Sequence, residues 1–128
     1  MQLKKVHHVA IICSDYQRSL KFYTEILGLH VVAEHYRASR HSHKTDLALG
    51  DDYVVELFSF PNAPPRTTNP EATGLRHLAF QTDNIDDAIA ELDEAHIQHE
   101  PIRIDEFTNK RFFFMRDPDA LPIEIYEA

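Results

Sequence analysis

The chain holds a single cysteine, Cys13, in 128 residues. That excludes an intramolecular disulfide framework and any zinc cluster built on several cysteines. It has no long uninterrupted apolar run and no cleavable signal-like segment, so no membrane span is expected and the reading is a soluble, cytoplasmic protein. Cationic residues are outnumbered: 13 Lys and Arg against 21 Asp and Glu give a formal charge of −8, which argues against nucleic acid as a partner. What remains is a chain long enough to bury a real core as one compact domain, 1–128, or as two tightly fused half-domains.

The chain does contain a duplication. The stretches HHVAIICSDYQRSLKFYTEILGLHV and RHLAFQTDNIDDAIAELDEAHIQHE both run from a histidine-bearing strand through an Asp/Asn cluster into an amphipathic helix. VVELFSF and PIEIYE then each set a glutamate among β-branched and aromatic residues, where packing gives no reason for a charge. The spacing repeats as well: 56 − 8 = 48 residues separate His8 from Glu56, and 124 − 77 = 47 separate His77 from Glu124. Such internal similarity fixes the architecture before any finer reading.

The coarse order of elements is strand 5–13, helix 16–27 and strands 30–36, 45–50 and 53–60, then strand 75–82, helix 85–95 and strands 98–104, 111–116 and 121–127. Each half is therefore βαβββ, an α+β arrangement with modules at 3–60 and 74–128. PNAPPRTTNPEAT, 61–73, is rich in proline and polar residues and reads as a linker. Asp15 and Asn84 stand where helix N-caps belong, and Gly28 suits the left-handed stop of the first helix. Leu20, Tyr23 and Leu27 make one helical stripe; Ile85, Ala88, Ile89 and Leu92 make the other. Both read as core.

Residues two apart in a strand share a face. Val9 and Ile11 oppose His8, Val55 and Leu57 oppose Glu56, Leu78 and Phe80 oppose His77, and Ile123 and Ile125 oppose Glu124. If helices cover the apolar faces, two imidazoles and two carboxylates line the other side. Ionised carboxylates gathered there are costly without a cation. His8, Glu56, His77 and Glu124 are thus the candidate ligands of one divalent ion. A nitrogen/oxygen set of this kind suits nickel, zinc, cobalt or manganese, and the second glutamate departs from the two-His-one-carboxylate triad of iron oxygenases.

On these strings, with GLRHLAFQTDNID and the closing DPDALPIEIYE, the chain resembles the vicinal oxygen chelate superfamily, in its glyoxalase I-like branch, over nearly its whole length. The resemblance implies paired βαβββ modules curling into an open mixed sheet around a metal held at the four positions above. It implies Lewis-acid chemistry in which the ion polarises a carbonyl, acidifies the adjacent C–H and holds the resulting enediolate. It also implies a ligand glutamate as proton shuttle, here Glu124 as principal base with Glu56 as its counterpart. A homodimer is implied too, with the site closed either within one chain or with His8 and Glu56 of one facing His77 and Glu124 of the other.

Glutathione-using glyoxalase I enzymes carry an arginine and an asparagine where this chain has Ile12 and Phe60, so standard glutathione anchoring is not expected. The family's DPDG turn is DPDA, and Ala120 disfavours a positive φ, so another turn geometry is expected. The first reading is a lyase isomerising a thiol hemithioacetal of a 2-oxoaldehyde. Alternatives are an epimerase of the methylmalonyl-CoA type and a non-enzymatic sequestering protein. Arg37, Arg40, Lys44, Lys110 and Arg111 are candidate contacts for a small anionic, oxygenated substrate, with Arg66 in the linker. His7 faces away from the ligands by parity. His41 and His43 read as loop, and His30, His35, His96 and His99 as surface.

Overall fold

A computed structural model describes residues 1–128. The chain forms two compact units, Met1–Pro65 and Arg66–Ala128. In the first, β1 (Val9–Cys13) leads into α1 (Tyr16–Lys21), which runs on as a π-helical turn over Phe22–Ile26, followed by β2 (His30–Arg37), β3 (Ser42–Leu49) and β4 (Asp52–Ser59). In the second come β5 (Leu78–Thr82), α2 (Ile85–Glu94), β6 (Arg103–Ile104), β7 (Arg111–Arg116) and β8 (Pro122–Glu127). Each unit holds one four-stranded mixed sheet, ordered β1-β4-β3-β2 and β5-β8-β7-β6. First and last strands pair in parallel and the rest antiparallel, so each sheet is open, with free edges. This is an α+β fold of two βαβββ modules.

Both helices start where a side chain replaces a missing backbone partner. Asp15 accepts from the Arg18 amide at 3.1 Å, and Asn84 accepts from the Asp86 and Asp87 amides, both at 3.1 Å. The first helix widens after Lys21: the Leu27 amide reaches the Phe22 carbonyl five residues back, while the Thr24 hydroxyl donates to the Leu20 carbonyl. It stops at Gly28, whose φ of 77° suits the left-handed cap.

The helices cover one face of each sheet, as alternation predicts. Tyr23, Leu47, Val55 and Leu57 are fully buried in the first unit, and Ile85, Phe113 and Ile123 in the second. Burial of each such side chain favours folding by roughly 1.5–3 kcal/mol. Glu56 and Glu124, one residue out of phase, emerge on the opposite faces.

Four expectations need correction. The strands placed at 5–13 and 75–82 start only at Val9 and Leu78, so His8 and His77 stand just ahead of them. The strand placed at 98–104 contracts to Arg103–Ile104 plus an isolated bridge from His99 to Met115, because Pro101 has no amide to give to a ladder. The third strand begins at Ser42 rather than 45: His41 takes a left-handed φ of 46°, ends a 3₁₀ turn at Ala38–Arg40, and turns the chain directly into pairing with β2. His43 is therefore a strand residue, its ring stacked on Tyr16 with centroids 3.8 Å apart. Ala120 does adopt a positive φ, 67°, because the Asp117 carboxylate accepts from the Asp119 and Leu121 amides at 2.9 and 2.8 Å and holds the turn tight. No helix is long and apolar enough to cross a membrane.

Candidate metal centre

His8 and His77 each immediately precede the first strand of their unit, and the parallel register brings the glutamates alongside. Ala10 pairs with Glu56, and Ala79 pairs with Glu124. Since each histidine lies two residues before its alanine, it shares the glutamate's face. His8 Nε2 lies 3.8 Å from Glu56 Oε2, and His77 Nε2 lies 3.1 Å from Glu124 Oε2. The side-chain exposures match, at 33% and 15% for the first pair and 31% and 15% for the second. The structure brings together each histidine with its own glutamate, and nowhere gathers three or more metal-ligating side chains. Each pair offers one imidazole nitrogen and one carboxylate oxygen, a donor set that fits a borderline divalent ion.

The two pairs differ in their surroundings. Around Glu56, the Tyr53 hydroxyl donates to Oε2 at 2.8 Å and Lys44 Nζ sits 3.2 Å from the same oxygen. Asp46, directly across the ladder from Glu56, binds the same two groups, Lys44 at 2.8 Å and Tyr53 at 3.1 Å. Burial pushes both carboxyls up, but the Tyr53 and Lys44 hydrogen bonds and the lysine charge win and hold both below the usual carboxylate range. Hydrogen bonding to Asp46 in turn raises Lys44. His8 is steadied by a 2.7 Å contact between its Nδ1 and that of His7, and it stacks on Tyr53. This leaves Nε2 toward the carboxylate, as a metal-binding imidazole requires.

The second pair has none of this. The residue across the ladder from Glu124 is Phe114, Phe112 stands where Lys44 does, and Leu121 lies three residues before the glutamate, as Tyr53 does in the first unit. His77 packs edge-on against Phe114, and its Nδ1 is buried without a partner.

Sequence reasoning passed over Tyr53, Asp46 and the contact of His7 with His8. The available signal was alternation: Lys44 and Asp46 occupy same-face positions of one strand, and their ladder partners Phe58 and Glu56 occupy the next.

Of the candidate substrate residues, only Lys44 meets one of the pairs. Arg37 and Arg40 are exposed at the end of β2 and in the following turn. Lys110 donates to the Ala128 carbonyl at 2.6 Å. Arg111 commits all three nitrogens, to Glu127 at 3.0 and 2.7 Å and to Asp86 at 3.1 Å. Cys13 is buried.

Residues 5–125 match the model of the Glyoxalase/Bleomycin resistance protein/Dioxygenase superfamily. The chain belongs to that superfamily. Within it, the chain is 57% identical over 127 residues to the uncharacterized protein YwkD of Bacillus subtilis (strain 168), covering 99% of each. A crystal structure of a glyoxalase family protein from Enterococcus faecalis superposes with a TM-score of 0.90 at 45% identity, covering 99% of this chain and 100% of that one. A more distant superfamily relative is the lactoylglutathione lyase of Schizosaccharomyces pombe (strain 972 / ATCC 24843), 25% identical over 146 residues; the match takes in 98% of this chain and 48% of the lyase.

Proposed function

We propose that the chain is a metal-dependent lyase of the glyoxalase I type, which isomerises the hemithioacetal of a 2-oxoaldehyde by moving a proton between adjacent carbons. The observation that carries this is the duplicated His–Glu pair in matched register, with Glu56 held by a tyrosine and a lysine and Glu124 only by its histidine. His8, Glu56, His77 and Glu124 would hold a divalent ion, drawn from one chain or from two chains of a homodimer. When bound, the ion supplies Lewis acidity that polarises a substrate carbonyl and acidifies its neighbouring C–H.

The protein's own residues divide the remaining work. Glu56 is pinned by Tyr53 and Lys44 and acts as a fixed anchor. Glu124 has His77 as its polar neighbour and an aromatic residue across the ladder, so its carboxylate is free to swing, take the proton from one carbon and return it to the next. The lactoylglutathione lyase among the relatives supports the reaction class.

The cosubstrate is a thiol other than glutathione anchored in the usual way. Ile12 is 54% exposed where glutathione-using enzymes resemble one another in carrying arginine, and Phe60 stacks on Phe58 with centroids 5.7 Å apart where they carry asparagine. The same apolar pair favours, as a second reading, an epimerase that abstracts a proton next to a carbonyl of a bulkier substrate.

The test is turnover of methylglyoxal hemithioacetals of glutathione and several other small thiols by metal-free protein reloaded with nickel, zinc, cobalt or manganese. Turnover with one thiol supports the lyase. Glu124→Gln should then lower kcat by roughly 10²–10⁴-fold when measured at saturating metal. Silence across the panel with metal bound moves the assignment to the epimerase, and full activity in both Glu124→Gln and Glu56→Gln removes the mechanism.

A further inference from the structure

The second unit contains a groove of about 920 Å³, walled on one side by the irregular segment 66–74 and on the other by β7 and the residues that lead into β6. Its volume is that of a site for a small organic molecule. His77 lines it, so the groove opens onto one of the two His–Glu pairs.

Its charge runs against that of the chain. Four arginines face the groove, in a protein of formal charge −8. Two are neutralised locally: Arg76 by Glu71 at 3.1 Å, and Arg103 by Glu100 at 3.1 Å. The other two are not. Arg66 spends one terminal nitrogen on the carbonyls of Leu75 and Arg76, at 2.7 and 3.0 Å, which orients its guanidinium without cancelling its charge. Arg116 is exposed and makes no ion pair. Counting these side chains alone, 4 − 2 leaves two positive charges with no counter-charge in the groove.

The wall also holds unsatisfied polar atoms. Five buried side-chain nitrogen or oxygen atoms in the chain have no hydrogen-bond partner, and three of them, Arg66 Nε, Thr68 Oγ1 and His77 Nδ1, belong to residues lining this groove. A buried polar atom left unpaired opposes folding. Two of the three, Arg66 Nε and Thr68 Oγ1, are donors on the 66–74 wall, and beside two free cations they ask for acceptor oxygens.

We infer that the groove binds the anionic arm of an organic carboxylate, gripped by Arg66 and Arg116 with Thr68 donating, and that this arm directs the rest of the molecule toward His77. Arginine forks suit a carboxylate in two-point contact. The assignment deepens the proposed reaction, since it gives the substrate or its thiol a carboxylate, and it rests on that reading only for the role of His77. Lys110 and Arg111, by contrast, are engaged with Ala128, Glu127 and Asp86 and do not line this groove.

The experiment is a titration of the ¹⁵N-labelled full chain with succinate, and with succinamide as its uncharged isostere, run without metal and again with zinc. Succinate should give saturable shifts confined to residues 66–76 and 97–116, and succinamide should give none. Arg116→Gln, an exposed change that leaves packing alone, should weaken succinate at least tenfold, and so should Arg66→Gln. Thr68→Val should weaken it while leaving thermal stability equal or higher, because it removes an unpaired buried hydroxyl. Equal binding of succinate and succinamide, or unchanged affinity in both arginine variants, overturns the inference. Succinate binding without metal supports the groove whatever the zinc titration shows, so the groove and the metal-dependent reaction fail separately.

Discussion

Tyr53 donates its hydroxyl to Glu56 at 2.8 Å, and Leu121, the residue at the same offset from Glu124, has nothing to donate. One duplicated glutamate is therefore tethered by a hydroxyl and a lysine, while the other has only its histidine, at 3.1 Å. Tyr53→Phe should cost about 1.5–3 kcal/mol in urea unfolding, in the range of a hydrogen bond to a charged acceptor. Loss of less than a few tenths would show that the tether has no energetic weight.

The tether also sets an acid limit. Glu56 and Asp46 are held below the usual carboxylate range in the folded chain, so they bind protons less readily folded than unfolded. Their contribution to stability is present above the ordinary carboxylate range and is lost as pH falls through their depressed folded values. Metal-free protein should lose stability across that acid window, and Lys44→Met should flatten the loss. An unchanged pH profile in that variant would count against the pairing.

At the alkaline end the group to follow is Tyr16. Burial, with help from the Glu34 carboxylate at 2.5 Å, pushes its hydroxyl up from 10.0 to about 12. A raised folded value means that the stability it contributes is complete below pH 10.0 and disappears as pH rises through about 12. Ultraviolet titration should show Tyr16 ionising late together with Tyr53, which burial and its bonds to Glu56 and Asp46 push up as well, and Tyr16→Phe should lower the amplitude of that phase by one tyrosine. The same change strands the fully buried Thr45 hydroxyl, 2.7 Å from Tyr16, so it should also destabilise by about 1–3 kcal/mol.

The turn at Ala120 is a place to gain stability. Its φ of 67° costs a residue with a β-carbon roughly 1–2 kcal/mol, partly offset by the greater freedom glycine has when unfolded. Ala120→Gly should raise stability by about 0.5–1 kcal/mol, read as a shift in Tm. A fall in Tm would mean that the turn relaxes in solution.

Mixing variants separates the two ways of completing a metal site. If each site takes His8 and Glu56 from one chain and His77 and Glu124 from another, His8→Ala mixed with His77→Ala restores one intact site in every mixed dimer. Random exchange then returns about a quarter of wild-type activity, by the symmetry of a two-fold dimer. No recovery after subunit exchange points to sites closed within single chains.

The repeat, the helices and the facing of the His–Glu pairs were legible because each rests on local chemistry: Asp15 and Asn84 as caps, Gly28 as a stop, and alternation around Val55 and Ile123. The company Glu56 keeps was not, because Asp46 and Lys44 meet it only through the register between two strands, and a shift of one residue would have turned them away. The early start at Ser42 was hidden for the same reason, since pairing with Arg37, not local propensity, decides it. Ala120 misled because the sequence shows its β-carbon but not the bonds that the Asp117 carboxylate accepts from the Asp119 and Leu121 amides.

In both units the histidine enters with the first strand and the glutamate with the last, and parallel pairing makes them neighbours. No hairpin can form either pair early. Each must wait until its helix and two intervening strands have been laid down and the closing strand has slotted between its neighbours, which is a slow, non-local event. A chain stalled short of that step has no adjacent donors to offer, so a metal ion would meet a coordinating pair only in units whose folding is finished.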